Sequence, residues 1–248
     1  MTGEPGIAAA IASDGHATVR QVLDEADRTA AIDALERIFA SEADIADERR
    51  WATDAYRVAY ALPAKDPLFL ALCTRPAVLA LAREVLCDDC VLAGFNGQTM
   101  QPQGSGQPLH RDHPVPTPGM TMYLHAVCAL DRFTVANGAT RAVAASHRGS
   151  LADRDPADLE AMAVPIPLDA GDVVAFDGSL VHAAGANTTT GPRRALHLFF
   201  GRPWVVPHWD FPATFGPAAS ALSEEQRRLL GFNARPRRFD LAQRRVVR

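Results

Sequence analysis

The sequence of 248 residues contains a single lysine, Lys65, and almost all of its positive charge is arginine. With a net charge of −4, it lacks the concentrated basic surface that binding to the phosphates of nucleic acids requires. Residues 227–248 carry eight arginines and one acid, and we interpret this basic tail as a solvated surface. No nucleic-acid partner is therefore expected.

Long apolar runs are also missing. No run approaches the ~18–20 residues of a membrane span, and the apolar stretch 7–12 is too short for a signal peptide and lacks a basic flank. We therefore expect a cytoplasmic protein that does not enter a membrane. The sequence does not determine its oligomeric state.

Four cysteines are too few for a disulfide scaffold in a chain of this length. Cys87 and Cys90 have the C-x-x-C spacing of redox and zinc sites, but no second ligand pair follows at a zinc-ribbon distance. We interpret both as reduced, structural thiols. Glycine-rich phosphate loops, internal repeats and low-complexity tracts are absent as well, and a composition that is 48% hydrophobic excludes disorder.

The first 90 residues have the spacing of amphipathic helices. Apolar side chains recur every three to four residues over 18–40, and a second helix is predicted over 67–86 with a break near Pro76. Residues 51–62 are interpreted as a loop with some short element. From residue 91 onward, short runs of alternating character are separated by turn residues, which predicts strands at 91–101, 109–112, 120–130, 139–144, 164–167, 172–177 and 193–200.

Many short strands with regular turns favour a β-sandwich or jelly roll. We therefore predict a mainly β fold with flanking α-helices, in which a double-stranded β-helix (jelly roll) is buttressed by N-terminal helices. One domain is expected over 1–248, with a mostly helical flank at 1–90, the jelly-roll core at 91–205 and a C-terminal extension at 206–248.

The segment 107–113, QPLHRDH, carries the sharpest local motif. On an extended strand His110 and Asp112 project from the same face, so that an imidazole nitrogen and a carboxylate oxygen can bind one ion. A third ligand is expected from another strand, and His182 is the candidate. Two histidines and one carboxylate form the facial triad of non-haem Fe(II) oxygenases, which leaves positions open for substrate and oxygen.

Arg193 follows His182 by eleven residues, at the start of an alternating strand. A fixed guanidinium that faces the metal is suited to a bidentate grip on the distant carboxylate of a dianionic co-substrate. His197 faces the same way and is interpreted first as a core histidine, with contact to substrate or to a metal ligand as the alternatives. No partner is predicted for His125.

These residues resemble the phytanoyl-CoA dioxygenase family of Fe(II)- and 2-oxoglutarate-dependent oxygenases. The resemblance covers about 94–205 and includes QPLHRDHP, the stretch 131–148, the turn AGD at 170–172 and HAAGANTTTGPR at 182–193. The family's usual Pro-Gly-Ser-His element is AASH here, at 144–147, so this turn lacks its proline and glycine. The carboxylate ligand is retained at Asp112, which argues against the related halogenases.

The resemblance implies a site and a reaction. His110, Asp112 and His182 would bind Fe(II), Arg193 would bind the C5 carboxylate of 2-oxoglutarate, and Gln107 and Thr140 would be further co-substrate contacts. The implied reaction is oxidation of an unactivated C–H bond by O2, with release of succinate and CO2. Hydroxylation is the expected outcome, with desaturation, epoxidation or endoperoxidation as alternatives.

The substrate is less well defined. Asn96 and Gln98 alternate onto one strand face and are pocket candidates, and Trp204 lies in an aromatic, proline-rich stretch that suits a pocket wall or packing on the helices. We expect a small or medium, apolar secondary metabolite. Two rival interpretations, a non-catalytic binding jelly roll and a zinc hydrolase, leave Arg193 and Gln107 without a role.

Overall fold

The computed structural model describes residues 6–44, 55–113, 115, 117, 119–149, 154–235 and 238–247. The helices in these ranges are α1 (Ile7–Asp14), α2 (Glu25–Ser41), α3 (Pro67–Cys73), α4 (Pro76–Val85), α5 (Pro156–Met162), α6 (Phe211–Phe215) and α7 (Glu224–Leu229). The strands are β1 (His16–Val19), β2 (Tyr56–Ala59), β3 (Val91–Met100), β4 (Tyr123–Ala129), β5 (Thr140–Ala142), β6 (Val164–Pro165), β7 (Val173–Asp177), β8 (His182–Ala184), β9 (Arg193–Gly201), β10 (Arg238–Asp240) and β11 (Arg245–Val247). None of these helices combines the length and apolar character that crossing a bilayer requires.

Two antiparallel sheets make up the centre of the molecule. The larger has the order β1-β7-β4-β9-β3-β2 and the smaller the order β6-β5-β8, while β10 and β11 form a separate hairpin. Neighbours in the order are far apart in the chain, as in a jelly roll, in which strands from distant segments alternate across the sheet. The predicted mainly β jelly-roll fold with helical flanks is confirmed.

Strand β9 shows how the sequence assigns the two faces of the large sheet. Leu196, Leu198 and Phe200 are buried in one hydrophobic cluster with the helices, whereas Ala195 belongs to the cluster between the two sheets. Because side chains alternate along a strand, Arg193 lies on the same face as Ala195. The predicted alternation of this strand therefore places the arginine inside the jelly roll.

Helix α2 covers the other face of the large sheet. It begins seven residues later than predicted, because Asp24 and Asp27 form a capping box at its N-terminus. The predicted helical start at residue 18 is wrong, since His16–Val19 is strand β1, paired with β7. A Cβ atom at Gly97 would lie 2.1 Å from Leu35 Cδ2, so only glycine lets the helix approach β3 this closely.

The strand pairing identifies one expected element and corrects one predicted strand. The short element expected within the loop 51–62 is edge strand β2, Tyr56–Ala59, which pairs with β3; residues 51–54 lie outside the described residues. The predicted strand 109–112 is reduced to one bridge, between His110 and His182, because Pro108 has no N–H to pair and the chain bends at Asp112. The predicted break between two helices near Pro76 is confirmed, as α3 ends at Cys73 and α4 starts at Pro76.

Asp172, in the AGD turn, ties the start of the chain to β7. Its buried carboxylate accepts hydrogen bonds from the backbone N–H of Gln21 at 3.0 Å and of Asp169 at 3.0 Å, and from the Arg20 guanidinium at 2.6 Å. Burial raises the pKa of Asp172, but these donors outweigh burial and lower it overall. The carboxylate therefore stabilises the fold above about pH 4, and this contribution is lost as the pH falls through the lowered pKa.

We expect Asp172→Asn to lower the free energy of unfolding by about 1–3 kcal/mol near neutral pH, since the amide accepts fewer hydrogen bonds and carries no charge. The deficit should shrink in acid, where the wild-type carboxylate also becomes neutral. Urea unfolding of both proteins over a range of pH tests this, with Asp169→Asn, at an exposed neighbouring carboxylate, as the matched control. A deficit that is constant with pH would contradict it.

Candidate active site

Three side chains from two distant segments meet at the mouth of the jelly roll. The backbones of His110 and His182 pair through two hydrogen bonds of 2.9 and 3.0 Å, and the bend after His110 returns Asp112 to the same place. His110 Nε2 lies 3.8 Å from Asp112 Oδ1, and His182 Nε2 lies 3.7 Å from Asp112 Oδ2. The three candidate ligand atoms all lie within 4.8 Å of one another, close enough to share one ion.

Both imidazoles are held in the orientation that a metal ligand needs. His110 Nδ1 donates to the carbonyl of Pro108 at 3.0 Å, and His182 Nδ1 donates to the carbonyl of Leu180 at 3.0 Å. Because each Nδ1 donates to a carbonyl, Nε2 is the ring nitrogen that faces Asp112 in both histidines. In each case the carbonyl that holds the ring belongs to the residue two positions earlier in the chain.

The protonation of the cluster also favours a cation. Burial raises the pKa of Asp112, but His125, His182 and His110 together hold it well below its usual range. Burial lowers the pKa of His182 to about 4, so this imidazole is neutral near pH 7. One carboxylate and two imidazole nitrogens match the donor preferences of divalent first-row metals.

Arg193 is fully buried on the same cavity wall. Its guanidinium stacks 4.4 Å from the ring of Phe133, and its Nε has no hydrogen-bond partner among the described residues. The neighbouring Arg194 faces away and forms the ion pair with Asp131. Burial lowers the pKa of Arg193 to about 10, which still leaves it charged near pH 7. A buried guanidinium whose Nε has no hydrogen-bond partner among the described residues is costly, and an anion bound in the cavity would offset this cost.

Tyr56 is a neighbour of Arg193 that the sequence did not single out. Its side chain is only 5% exposed, lines the same cavity, and its hydroxyl has no hydrogen-bond partner within the described ranges. Burial raises the pKa of Tyr56 to about 12, although the charge of Arg193 opposes this. The hydroxyl is thus a neutral donor. Tyr56 was not predicted as a site residue because it belongs to the segment interpreted as a loop with an unplaced short element.

The triad, Arg193 and Tyr56 line one cavity of about 850 Å³. Five other residues that the sequence singled out line it as well: Gln107, Thr140, Asn96, Gln98 and His197. Trp204 does not; its side chain is 64% exposed, with the guanidinium of Arg202 5.7 Å from its ring. The contact of Trp204 with substrate therefore stays a prediction.

His125 is the second residue that the sequence analysis missed. Its Nδ1 lies 2.7 Å from Asp112 Oδ2 and its Nε2 lies 3.2 Å from His197 Nδ1. The ring is stacked on Phe199 with centroids 4.0 Å apart. Alternation along β4 would have placed His125 on the inner face, but its partners belong to a bend and another strand and depend on the sheet order.

The residues present fit Fe(II) and 2-oxoglutarate. Two imidazole nitrogens with a carboxylate leave half of an octahedral shell open. The buried Arg193, whose Nε has no partner among the described residues, matches the free end of a dicarboxylate. Gln107 and Thr140 add polar groups to the lining of the same cavity.

Fold and donor set together define the class of Fe(II)- and 2-oxoglutarate-dependent oxygenases. Within this class the chain belongs to the phytanoyl-CoA dioxygenase (PhyH) family, whose sequence profile matches residues 11–195. A dioxygenase of Aspergillus fumigatus is 30% identical over 161 residues, which are 63% of this chain and 52% of that protein. An uncharacterized protein of Mycobacterium tuberculosis is 31% identical over 234 residues, covering 89% of this chain and 84% of its own length.

Solved structures share the fold. The 2-oxoglutarate-dependent epimerase SnoN of nogalamycin biosynthesis superposes with a TM-score of 0.67 at 24% identity, covering 79% of this chain and 80% of its own. The carbocyclase SnoK of the same biosynthesis gives a TM-score of 0.67 at 21% identity, with coverages of 90% and 92%. HygX of Streptomyces hygroscopicus, solved with nickel and 2-oxoglutarate, gives 0.64 at 17% identity, with coverages of 79% and 86%.

Proposed function

We propose that this protein binds Fe(II) through His110, Asp112 and His182, binds 2-oxoglutarate through Arg193, and oxidises an unactivated C–H bond of a small or medium secondary metabolite. Hydroxylation is the main outcome, and succinate and CO2 are the co-products. The observation that carries the proposal is the buried guanidinium of Arg193, unpaired at Nε among the described residues, on the cavity wall that also holds the triad. Neither a zinc hydrolase nor a non-catalytic binder has a use for it.

When bound, Fe(II) with 2-oxoglutarate and O2 supplies an oxidant strong enough to cleave a C–H bond. The protein itself contributes by holding the metal ligands in place. The backbone carbonyls that hold His110 and His182 keep both Nε2 lone pairs aimed at one point, and Asp112 supplies the negative charge. Three fixed ligands would leave the remaining positions of the ion for co-substrate and oxygen.

The co-substrate is oriented from its far end. The planar guanidinium of Arg193 would bind the C5 carboxylate through two parallel hydrogen bonds, and the Tyr56 hydroxyl would be a further donor to it. Thr140 and Gln107 flank the path towards the metal. The Gln107 side-chain oxygen is itself fixed, because it accepts from the backbone N–H of Ala184 at 3.2 Å. A dicarboxylate held by Arg193 at one end and by the metal at the other would have a single orientation in the cavity.

A cavity of about 850 Å³ has room for a substrate beyond the co-substrate. SnoN, which shares the fold, has been solved with Fe3+, α-ketoglutarate and nogalamycin RO. This supports a small or medium secondary metabolite here. Phe176 and Phe199 provide apolar wall, and Asn96 and Gln98 provide polar contacts. Desaturation, epoxidation and endoperoxidation remain alternative outcomes of the same site.

We also propose that residues 1–248 form a single domain. One hydrophobic cluster contains Ile11 from α1, Leu35 from α2, Phe95 from the large sheet and Leu230 beyond α7. The helical flank, the jelly-roll core and the C-terminal extension therefore contribute to the same hydrophobic core.

The test of the function is the anaerobic addition of Fe(II) and 2-oxoglutarate to the metal-free protein, followed by exposure to oxygen. We expect the visible metal-to-ligand charge-transfer absorption of the chelated co-substrate, and then succinate formation that increases when a substrate from a metabolite screen is present. A protein that binds Fe(II) but gives no such absorption and no succinate would overturn the proposal.

A further inference from the structure

The segment that follows β9 packs across β3 beside the cavity. The register of β3 with β9 shifts just before Gly94, as at a β-bulge. At this shift the carbonyl of Ala93 accepts a hydrogen bond from the backbone N–H of Trp209 at 3.1 Å. Gly94 has no Cβ atom, which would lie 3.3 Å from His208 Nδ1 and 3.5 Å from Trp209 Cδ1. The irregularity in β3 therefore brings the indole of Trp209 close to Asn96.

The side-chain oxygen of Asn96 is held by two donors. Oδ1 accepts from the Trp209 indole at 3.0 Å and from the backbone N–H of Ala61 at 3.3 Å. Neither N–H group can accept a hydrogen bond, so an amide rotated by half a turn would set its own NH2 group against both of them. The orientation of the Asn96 amide therefore follows from its partners, and Nδ2 is the end that is turned away from them.

The amide nitrogen of Asn96 is available to a ligand. Within the described ranges, the two hydrogen bonds to Oδ1 are those that the Asn96 side chain makes. Asn96 is 7% exposed and lines the cavity together with Val58, Val127 and Phe199, whose side chains accept no conventional hydrogen bond. An N–H group in such a wall gains free energy when a ligand supplies an acceptor.

Asn96 also lies away from Arg193 along the β3–β9 pair. Asn96 is opposite His197, and Met100 is opposite Arg193. The two positions are thus four residues apart along each strand, which corresponds to about 13 Å. This is longer than the five-carbon chain of 2-oxoglutarate, so a co-substrate bound at Arg193 leaves the Asn96 amide to another ligand.

We propose that the Asn96 amide, fixed as a donor by Trp209 and Ala61, selects substrates that carry a carbonyl or ether oxygen on an apolar skeleton. The assignment rests on the function proposed above and deepens it, because it names the substrate class. An oxygen that accepts a hydrogen bond binds at Nδ2, while the rest of the molecule contacts the apolar wall. A group that can only donate, such as an ammonium, meets the same N–H groups unfavourably and is excluded.

The wild-type protein provides the first test, without metal or turnover. In 15N-labelled protein the Nδ2 signals of Asn96 are identified by their loss in Asn96→Asp and are followed in 1H–15N spectra. The probes are acetophenone and α-methylstyrene, which have the same shape but carry oxygen and CH2, respectively, at the double bond. We expect acetophenone, and not α-methylstyrene, to move one Asn96 Nδ2 proton downfield. Equal shifts with both probes, or none with acetophenone, would overturn the proposal.

Two substitutions separate hydrogen bonding from packing. Asn96→Leu removes the donor and the acceptor, whereas Asn96→Asp keeps the acceptor for Trp209 and Ala61 and replaces the donor with a second acceptor. In both variants acetophenone should bind roughly three- to tenfold more weakly relative to α-methylstyrene, as expected for one lost hydrogen bond. Asn233→Leu, at an exposed asparagine outside the cavity, is the matched control and should leave this ratio unchanged. A ratio that falls in Asn96→Leu but not in Asn96→Asp would indicate a packing role and contradict the proposal.

Failure of the proposed function is distinguishable, because the titrations use metal-free protein. Absence of Fe(II) and 2-oxoglutarate binding in the wild type would overturn the function proposed above. Absence of the acetophenone shift in a protein that binds both would overturn only the role of Asn96.

Discussion

Replacing both His110 and Asp112 with alanine should abolish the charge-transfer absorption of Fe(II) and 2-oxoglutarate and reduce succinate formation to the background. The double variant keeps one of the three proposed metal ligands, His182, whose single imidazole cannot hold an exchangeable ion in competition with water. Because the backbone pairing of residue 110 with His182 involves no side chain, the fold around the cavity should be retained. Absorption spectra and succinate assays measure the effect, and circular dichroism checks the fold.

The matched control is a pair of changes at residues of the same types outside the triad, His147→Ala with Asp169→Ala. His147 is bonded to the Ala12 carbonyl, and Asp169 lies at the surface near Arg132. This protein should retain both absorption and turnover. If absorption persisted when His110 and Asp112 are replaced, the iron would be bound elsewhere and the site assignment would be wrong.

The sequence predicted the elements with strong local patterns. Alternation in 193–200 was enough to place Arg193 inside the jelly roll, and the proline at 76 was enough to divide two helices. The short strands β1, β2 and β8 were not predicted as strands. With only three or four residues each, they have no period that distinguishes them from loops, and their extended conformation depends on pairing with β7, β3 and β5.

The same distinction applies to the site. The spacing of His110 and Asp112 suggested two ligands on one strand, but the structure joins them through a bend and a single bridge to His182. Either backbone conformation, a regular strand or a bend with one bridge, brings the His110 imidazole and the Asp112 carboxylate together. His125 could not be predicted in this role, because its two partners reach it only through the order β7-β4-β9 and through the bend at Asp112. Local periodicity predicts which face of a sheet a side chain occupies. Its contacts with side chains from other strands and bends can be predicted only when the order of the strands is known.

The second large effect is expected at Arg193. In Arg193→Met the 2-oxoglutarate concentration needed for half-maximal succinate formation should rise roughly a hundredfold, which corresponds to about 3 kcal/mol for a lost charge-assisted, bidentate contact. Arg193→Lys should recover only part of this, since an ammonium group keeps the charge but lacks the planar fork. Iron binding in the absence of co-substrate should be unchanged, because Arg193 is no part of the triad.

Although Arg193→Met should bind 2-oxoglutarate more weakly, we expect its thermal stability without co-substrate to be unchanged or higher. The buried guanidinium of Arg193, whose Nε is unpaired among the described residues, destabilises the protein without co-substrate, so Arg193→Met should melt at the same temperature as the wild type or higher. Saturating 2-oxoglutarate with metal should raise the melting temperature of the wild type and not of the variant. Arg194→Gln, whose side chain binds Asp131 on the other face, is the matched control and should keep the co-substrate response. An unchanged 2-oxoglutarate requirement in Arg193→Met would place the carboxylate contact on another residue.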